Sequence, residues 1–540
     1  MFGEFKGAWQ LLRLALRRDR IKIGLWLVII LGTILAVVPA VKEMYAEPAA
    51  RQQYAATMSD SMIGRLYGGV LDGDSLGAVV MVESYAFTAT LIAFMAGFMV
   101  IRHTRANEES GSLEILQSAN VGRYASLTAA VLLAATVSVV IGVITGIFFS
   151  LFDDFDGRSG WLLGAAFAGV GVSFAAIAAV CAQIVSTSRG ANALVGAIIG
   201  LAFILRGIGD ALAATINGQV YSAWPAWLSP LGWGQQVYPF TRQEAWVLLI
   251  YIVFSLAMLI LAYRLLIKRD LGAGILGVRS GSSRASRYLG SSVGLAWRMQ
   301  RASIAWWTII LLFMGVLYGS MVQEFKDMLS SSEFMKSYIT ALGGEGEAVQ
   351  AFLIAMIGIT SVVAAGYVVS ATLRVRTEES AGRLEPLLAT ATSRIGWLMA
   401  HIGLVLLGTA LMLIVLGAST AVTATIVTGD NFSVVDYVMS ALAYWPALAA
   451  CLGVAVLTLG AIPSLAYVIG WGLFLFALMI SQLGALLQLP NWLQGMSPFY
   501  HVPAVPSESY DLQVLLVLLI IAFVTTIIGV VGYRKRDVVG

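Results

Sequence analysis

The residues with the clearest chemical potential in this sequence are acids that recur at fixed spacing in two short segments. Residues 108–114, EESGSLE, align without gaps on residues 379–385, ESAGRLE. Each segment is followed by an arginine just before an apolar run, Arg123 in the first and Arg394 in the second. Acids at the start of a short helix and a base at its end oppose the helix dipole, so each segment is predicted to form a short helix.

A short helix of this kind at a membrane surface, rimmed by acids, is typical of a docking site for a soluble partner. Leu113 and Leu116 are three residues apart and would share one helix face, as would Leu384 and Leu387, which gives each docking helix a leucine stripe. The alternative is a solvated loop that obeys the positive-inside rule. That alternative explains the arginines but not the acids that recur at matched positions, so docking is the favoured interpretation.

A second group of polar residues lies inside apolar runs, where a charge is costly and therefore often functional. Arg206 and Asp210 are four residues apart in one run, and Glu83 lies early in another. Arg206 and Asp210 can pair on one helix face, and this structural interpretation is the favoured one. The functional interpretation makes Arg206, Asp210 and Glu83 candidates for the lining of a substrate cleft.

The sequence predicts a transport subunit and not an enzyme, with no catalytic residues and no metal centre. His103, His401 and His501 are scattered, without the spacing of a metalloprotease helix. Cys181 and Cys451 lie inside apolar runs and are interpreted as small apolar residues. No phosphate-binding G-x-x-x-x-G-K-[ST] run occurs, so no cofactor is expected in this chain.

Long apolar runs must position these segments. The chain has 540 residues, of which 59% are hydrophobic and only 12% charged, against about 25% charged in soluble proteins. A helix needs about 20 apolar residues to cross the bilayer core. The sequence predicts an all-α polytopic membrane protein with twelve spans, at approximately 22–42, 78–101, 125–151, 161–185, 192–213, 245–267, 303–322, 349–373, 396–427, 437–462, 465–487 and 513–532.

The placement of lysine and arginine predicts the orientation of the chain. With a cytoplasmic N-terminus, 25 of these residues fall inside and 7 outside, while Arg206 lies within a span. Both termini are therefore predicted to be cytoplasmic, and the net charge of +3 indicates no nucleic-acid partner. The expected location is a bacterial inner membrane. The basic stretch 5–20 is interpreted either as an amphipathic helix in the headgroup plane or as a simple topology anchor.

The two acidic segments belong to a duplication that covers the whole sequence. Both halves end on Lys-Arg-Asp, at 268–270 and at 535–537. We therefore expect a first six-span half at 1–275, a cytoplasmic linker at 276–294 and a second six-span half at 295–540. Both halves start inside, so they are predicted to be parallel six-helix repeats with a cleft where they meet.

The repeated pattern R-x-[NE]-E-x-x-G-x-L-E-x-L, at 105–116 and 376–387, resembles the coupling-helix signature of ATP-binding-cassette type 2 exporter permeases. The doubled form is similar to the subfamily of exporters of polyketide antibiotics. The resemblance covers the whole chain in span layout but is motif-specific only over 105–123 and 376–394. It implies that these two loops dock onto two copies of a separate ATPase subunit, which would bind ATP and magnesium.

Carried over by residue, the resemblance assigns partner contacts to both loops. The implied docking residues are Glu108, Glu109, Gly111, Glu114 and Arg123 for one ATPase subunit, and Glu378, Glu379, Gly382, Glu385 and Arg394 for the other. The two loops differ, because Asn107 stands where the second has Glu378, and Ser112 where it has Arg383. Unequal coupling of the two halves is therefore expected.

The favoured function is an ATP-driven exporter of amphipathic or hydrophobic small molecules, such as drugs, antibiotics or lipid-like compounds. Its expected partners are the two ATPase subunits, membrane lipid and a hydrophobic substrate. An ion-coupled secondary transporter with six plus six spans is the alternative, but that class predicts a basic loop between the second and third spans. A membrane-embedded enzyme ranks last, because no catalytic constellation is present.

Overall fold

The computed structural model describes most of the chain, namely residues 2–117, 121–216, 219–270, 272–277, 284, 286–323, 325–326, 345–390, 392–483, 490–503 and 512–536. The chain divides into two compact units, Met1–Gly281 and Ser282–Gly540. Residues 278–283 and 285 of the predicted linker 276–294, and residues 484–487 of the predicted span 465–487, lie outside the described residues. The predicted domain boundaries and the parallel-repeat arrangement stay predictions.

Long apolar helices dominate both units and confirm the all-α polytopic membrane fold. Within the described residues, eleven helices are long and apolar enough to cross a membrane. The predicted span 465–487 is described as the helix Ala466–Leu483, whose apolar part is shorter than the others. The count of twelve spans stays a prediction.

The first unit contains twelve helices and one hairpin among its described residues. In chain order they are α1 (Ala8–Met44), α2 (Pro48–Asp60), α3 (Met62–Gly68), α4 (Leu76–His103), α5 (Arg105–Glu109), α6 (Ser112–Gln117), α7 (Ala125–Phe149), α8 (Gly157–Ile184), α9 (Ser188–Ala211), β1 (Ala214–Ile216), β2 (Gln219–Tyr221), α10 (Trp224–Trp227), α11 (Pro230–Gln236) and α12 (Val247–Lys268). The strands pair antiparallel, with Thr215 opposite Val220. A 3-10 turn, Phe2–Phe5, precedes α1.

Helices α4 and α8 form the centre of the first unit. In the most apolar 18-residue stretches of α4 and α8, 72% and 78% of the residues are buried, against 17% in α1 and in α12. Helix α8 packs against α4, α7 and α12, and α1 packs against α7. Helices α7 and α8 cross closely at Gly142 and Gly164, where an added Cβ on Gly164 would lie 2.1 Å from the Gly142 carbonyl oxygen. Glycine allows this close approach of two spans.

The second unit is built from nine helices among its described residues. They are α13 (Ser292–Ser320), α14 (Glu345–Ser380), α15 (Leu384–Leu388), α16 (Arg394–Thr428), α17 (Val434–Leu442), α18 (Trp445–Ala461), α19 (Ala466–Leu483), α20 (Asn491–Gln494) and α21 (Leu512–Lys535). Two 3-10 turns, Arg287–Gly290 and Pro498–His501, complete it. Helix α18 packs against α14 and α21, and α13 packs against α16.

The basic stretch 5–20 does not form a separate helix in the headgroup plane. Helix α1 runs without a break for 37 residues, a length of about 55 Å. The break falls instead at Gly7, whose φ of 91° places it in the left-handed region. Between Ala8 and Lys22 the sequence has no proline or glycine to end the hydrogen-bond ladder, so the helix continues into the span.

Candidate functional site

The acidic loop of the first unit continues directly from the second span and turns at Gly111. Helix α4 ends at His103, α5 follows at once, and α6 begins at Ser112. Gly111 joins α5 to α6 with a φ of 70°, and Gly382 joins α14 to α15 with a φ of 67°. Only glycine takes this left-handed conformation without steric cost. The repeated glycine of the sequence motif is therefore required by the backbone of both loops.

Glu108 is held between two arginines in a group that we call the first clamp. Arg105 donates to the Glu108 carboxylate at 2.5 Å, and Arg269 donates to it at 2.5 and 2.9 Å. The side chains of Arg105, Glu108 and Arg269 are 0%, 5% and 3% exposed. Because Arg269 directly follows α12, the first clamp ties the loop to the cytoplasm-facing end predicted for the sixth span.

Glu379 is held in the same way in the second clamp. Arg536 donates to the Glu379 carboxylate at 2.6 Å, and the Arg376 guanidinium lies 3.3 Å from it. The Glu379 side chain is fully buried, while both arginines keep a fifth or less of their surface exposed. Arg536 directly follows α21, so this clamp ties the second loop to the end of the last helix.

The arginine that precedes the third span of each unit caps the same helix end. Arg123 donates to the carbonyl oxygens of Leu266 and Ile267, both at 3.1 Å. Arg394 donates to the carbonyl oxygen of Arg536 at 2.9 Å. The last carbonyl groups of a helix have no partner within the helix and carry partial negative charge, so a cation stabilises them.

The outer face of the first loop is acidic and partly apolar. Glu109 and Glu114 are exposed, and Ile115 exposes 75% of its surface. Glu109 also accepts a hydrogen bond from the Ser188 hydroxyl at the start of α9. Leu113 is 4% exposed and packs inward. The loop thus exposes the Glu109 carboxylate at the end of α5, and the Glu114 carboxylate and Ile115 on α6, which Leu113 anchors to the unit.

The outer face of the second loop has the same plan with an added base. Glu385 is exposed, and Leu384 beneath it is 1% exposed. Arg383, exposed, donates to Glu378 at 2.6 Å. The hydrogen bond to Glu378, together with its charge, raises the pKa of Arg383 above its ordinary value. The surface of this loop therefore carries one free-standing acid and one ion pair.

The structure places the ten predicted docking residues at different depths. Those at the surface of the loops are Glu109, Glu114, Arg123, Gly382 and Glu385, and those that are half-buried are Gly111, Glu378 and Arg394. The two clamp acids, Glu108 and Glu379, lie inside and face arginines of the same unit. Both clamp carboxylates are thus engaged by arginines within their own unit. The docking role of the loops stays a prediction.

The intramembrane candidates Arg206 and Asp210 do pair with each other. Arg206 donates to Asp210 at 3.2 Å, and both side chains are fully buried. Arg206 also donates to the carbonyl oxygens of Leu66 and Tyr67 at 2.7 and 2.9 Å, and Asp210 accepts from Ser222 at 2.6 Å. The pair therefore fastens α3 and the segment after β2 to α9.

Glu83, the third cleft candidate, is placed differently. Its residue is exposed, and its carboxylate accepts a hydrogen bond from the Tyr54 hydroxyl at 2.6 Å. This contact links α4 to α2 and not to Arg206 or Asp210. A role of Glu83, Arg206 and Asp210 in a substrate cleft stays a prediction.

Comparison with known proteins places this architecture in a family. The family model described as "Multidrug efflux system permease Rv1217c, C-terminal domain" matches residues 289–534. The chain is also 37% identical over 537 residues to the multidrug efflux system permease protein Rv1217c of Mycobacterium tuberculosis (strain ATCC 25618 / H37Rv). That match covers 99% of this chain and 96% of the relative. The chain belongs to the Rv1217c family of permeases. In this permease the family model covers Arg376 and Glu379 of the second clamp and ends two residues before Arg536.

Three residues that support the two loops of this permease were not singled out from the sequence. Arg269 and Arg536 complete the clamps, and the repeated Lys-Arg-Asp was the signal that could have found them. Asp19, the one acid within the basic start of α1, is 3% exposed and accepts from Arg102 at 2.7 and 3.0 Å. It fixes α1 to the end of α4, directly before the first loop.

The described residues of this permease contain no group of three histidine, cysteine or acidic side chains that could hold a metal ion. His103 lies 2.8 Å from Asp19 and His401 lies 2.6 Å from the Gln300 amide. Cys181 and Cys451 are free and buried. The polar side chains at these positions serve contacts between helices.

Proposed function

We propose that this permease is the membrane subunit of an ATP-binding-cassette exporter of the type 2 class, related to exporters of polyketide antibiotics. Two copies of a separate ATPase subunit would dock on the loops 105–123 and 376–394 and supply the energy. The cargo would be an amphipathic or hydrophobic small molecule that is moved out of the cell. The permease would lie in the bacterial cytoplasmic membrane with both termini in the cytoplasm.

The observation that carries this proposal is the common build of the two loops. Each loop has a short helix with an exposed acid, Glu114 or Glu385, above a buried leucine. Each is held from below by a clamp that joins it to the last span of its unit. A solvated connection needs no such support, whereas a loop that transmits force from a motor must be stiff.

Composition and relationship support the cargo class. The relative's name describes it as a multidrug efflux system permease, and a system implies components besides the permease. The chain itself is 59% hydrophobic, so a path through it favours apolar or amphipathic molecules over strongly charged ones. We extend the drug-efflux role of the relative to this chain on these grounds.

The test is charge reversal of the exposed acids. The full chain, purified from its own cells in mild detergent, should co-purify with an ATPase subunit, and this complex should hydrolyse ATP. The variant Glu114→Lys with Glu385→Lys should lose the subunit and most of the hydrolysis, because both docking faces change sign. Asp153→Lys is the matched control, since Asp153 is an exposed acid on the side predicted to face outward.

The ATPase assignment fails if the doubly reversed variant retains the subunit and the same turnover as Asp153→Lys. The secondary-transporter alternative makes the opposite forecast. In that case the chain alone, in proteoliposomes without any ATPase, would move a hydrophobic dye under an ion gradient. Transport that requires ATP and the added subunit would support the proposal.

A further inference from the structure

An apolar groove runs along the second unit between α16, α18 and α21. Its volume is about 510 Å³, and nearly all the surface that lines it is apolar. Met399 on α16, Trp445 on α18 and Phe523 on α21 mark its three walls. Met399 and Phe523 are 47% and 67% exposed, so the groove is accessible from the side of the bundle.

The groove has the length of one lipid leaflet. Its lining residues on α21 extend from Leu519 to Val531, which corresponds to about 18 Å of helix. Half of the hydrocarbon core of a bilayer is about 15 Å. The groove begins one helical turn before α21 ends at Lys535. It therefore spans the apolar part of a single leaflet, the one at the basic end of α21.

Two basic side chains, Arg534 and Lys535, lie one helical turn beyond the groove at that end of α21. Arg534 follows the lining residue Val530 by four positions, and Lys535 follows Val531 by four. Residues four apart share a helix face, and both basic residues are exposed. Basic side chains at this depth attract anionic lipid headgroups. An apolar trough one leaflet long with cations at its mouth matches an anionic phospholipid.

The floor of the groove is held by close packing of α18 and α21. An added Cβ on Gly460 would lie 2.0 Å from the Gly529 carbonyl oxygen, and one on Gly453 would lie 2.8 Å from that of Ala522. Backbones in such contact leave only small side chains between them, and Ala449 and Ala522 line the groove. The trough is thus formed by the helix pair itself.

The corresponding place in the first unit is occupied by an aromatic ring. In the register of the duplication, Thr128 corresponds to Met399 and Tyr263 to Val530. The Thr128 and Tyr263 hydroxyl groups lie 2.8 Å apart, and Tyr263 packs edge-on against Tyr124. Tyrosine at position 530 should therefore fill the groove in the second unit with a side chain that this architecture already tolerates.

We propose that the groove is a binding site for one anionic phospholipid, with an acyl chain along α21 and the phosphate at Arg534 and Lys535. This lipid is a resident ligand and not the transported cargo. The site would give the permease a dependence on anionic lipid that its transport role alone does not require.

Native mass spectrometry of the full chain in detergent tests the proposal with phosphatidylglycerol and with phosphatidylcholine of the same acyl chains as probes. The wild type should retain one phosphatidylglycerol. Val530→Tyr should lose it, and so should a second filling variant, Thr526→Phe. Val524→Tyr is the matched control, because Val524 is 46% exposed on the same helix but does not line the groove.

Neutralising Arg534 and Lys535 distinguishes the contribution of the lipid headgroup from that of the acyl chain. Arg534→Gln with Lys535→Gln should cut the preference for phosphatidylglycerol over phosphatidylcholine by roughly 30-fold, or about fivefold for each charge. Three results would overturn the proposal. They are lipid retention by both filling variants at the level of Val524→Tyr, equal wild-type affinity for the two lipids, and displacement of the lipid by a hydrophobic efflux dye that occupies the groove instead.

Discussion

Replacing Glu108 by glutamine should destabilise the first unit by about 3 kcal/mol. In the first clamp this carboxylate accepts from two guanidinium groups, and the three side chains are at most 5% exposed. Removing one partner of a buried ion pair costs about 3–5 kcal/mol, because the remaining charge stays buried without compensation. Glutamine keeps one oxygen acceptor, so the lower end of that range applies.

The arginine on the other side of the clamp should be less costly to remove. Arg269→Gln leaves the pair between Arg105 and Glu108 intact and neutral. Its expected cost is about 1.5–3 kcal/mol, the range for hydrogen bonds to charged groups. Because Glu108 and Arg269 share one network, the double variant should cost less than the sum of the two single ones, by about 1–2 kcal/mol.

The assay is thermal unfolding of the purified full chain, followed by the loss of its monodisperse peak after heating. A cost of about 3 kcal/mol corresponds to a fall in the midpoint of roughly 6 °C or more. The matched control is Glu114→Gln, the same chemical change on the exposed face of the same loop. It should move the midpoint by no more than about 1 °C. Equal shifts for Glu108→Gln and Glu114→Gln would refute the clamp.

Three further changes follow from the same contacts. Gly111→Ala or Gly382→Ala should cost about 1 kcal/mol each from the positive φ and weaken ATPase retention in a pull-down; unchanged retention would show that the turn is dispensable. Arg206→Leu should lower the free energy of unfolding by about 3–5 kcal/mol, which a strongly lowered unfolding midpoint would report. The double variant Arg206→Leu with Asp210→Leu should recover much of that stability. A changed drug selectivity at unchanged stability would instead assign Arg206 to the substrate path. Arg123→Met should loosen the end of α12, which faster hydrogen exchange at its last turn would report, and no change there would contradict the capping role.

Much of the local structure could be predicted from the sequence. The apolar runs located most of the long helices within a few residues, because each must satisfy its own backbone in lipid. Helices α1 and α13 are the exceptions, since they begin well before the runs 22–42 and 303–322. The register aligned Glu108 with Glu379, whose side chains are both buried, and Gly111 with Gly382, which share a positive φ.

The tertiary partners could not be predicted in the same way. Arg269 is 161 residues from Glu108, and nothing local to either residue indicates the other. The acids of the motif therefore looked like a solvent-facing rim, although Glu108 lies inside. The headgroup-plane helix at 5–20 was wrong because amphipathicity does not reveal where a helix ends, and Asp19 in that stretch is buried by a contact with α4.

Site-specific crosslinking at the two loops tests the central claim most directly. Single cysteines in place of Glu114 and Glu385 would be treated with a short thiol-to-amine reagent in membranes that contain the whole transport system; the native Cys181 and Cys451 are buried and do not compete. We predict one adduct with an ATPase subunit from each position and none when the cysteine replaces Asp153 instead. If neither loop gives an adduct while the same membranes carry out ATP-driven efflux, the loops do not dock onto the ATPase subunits.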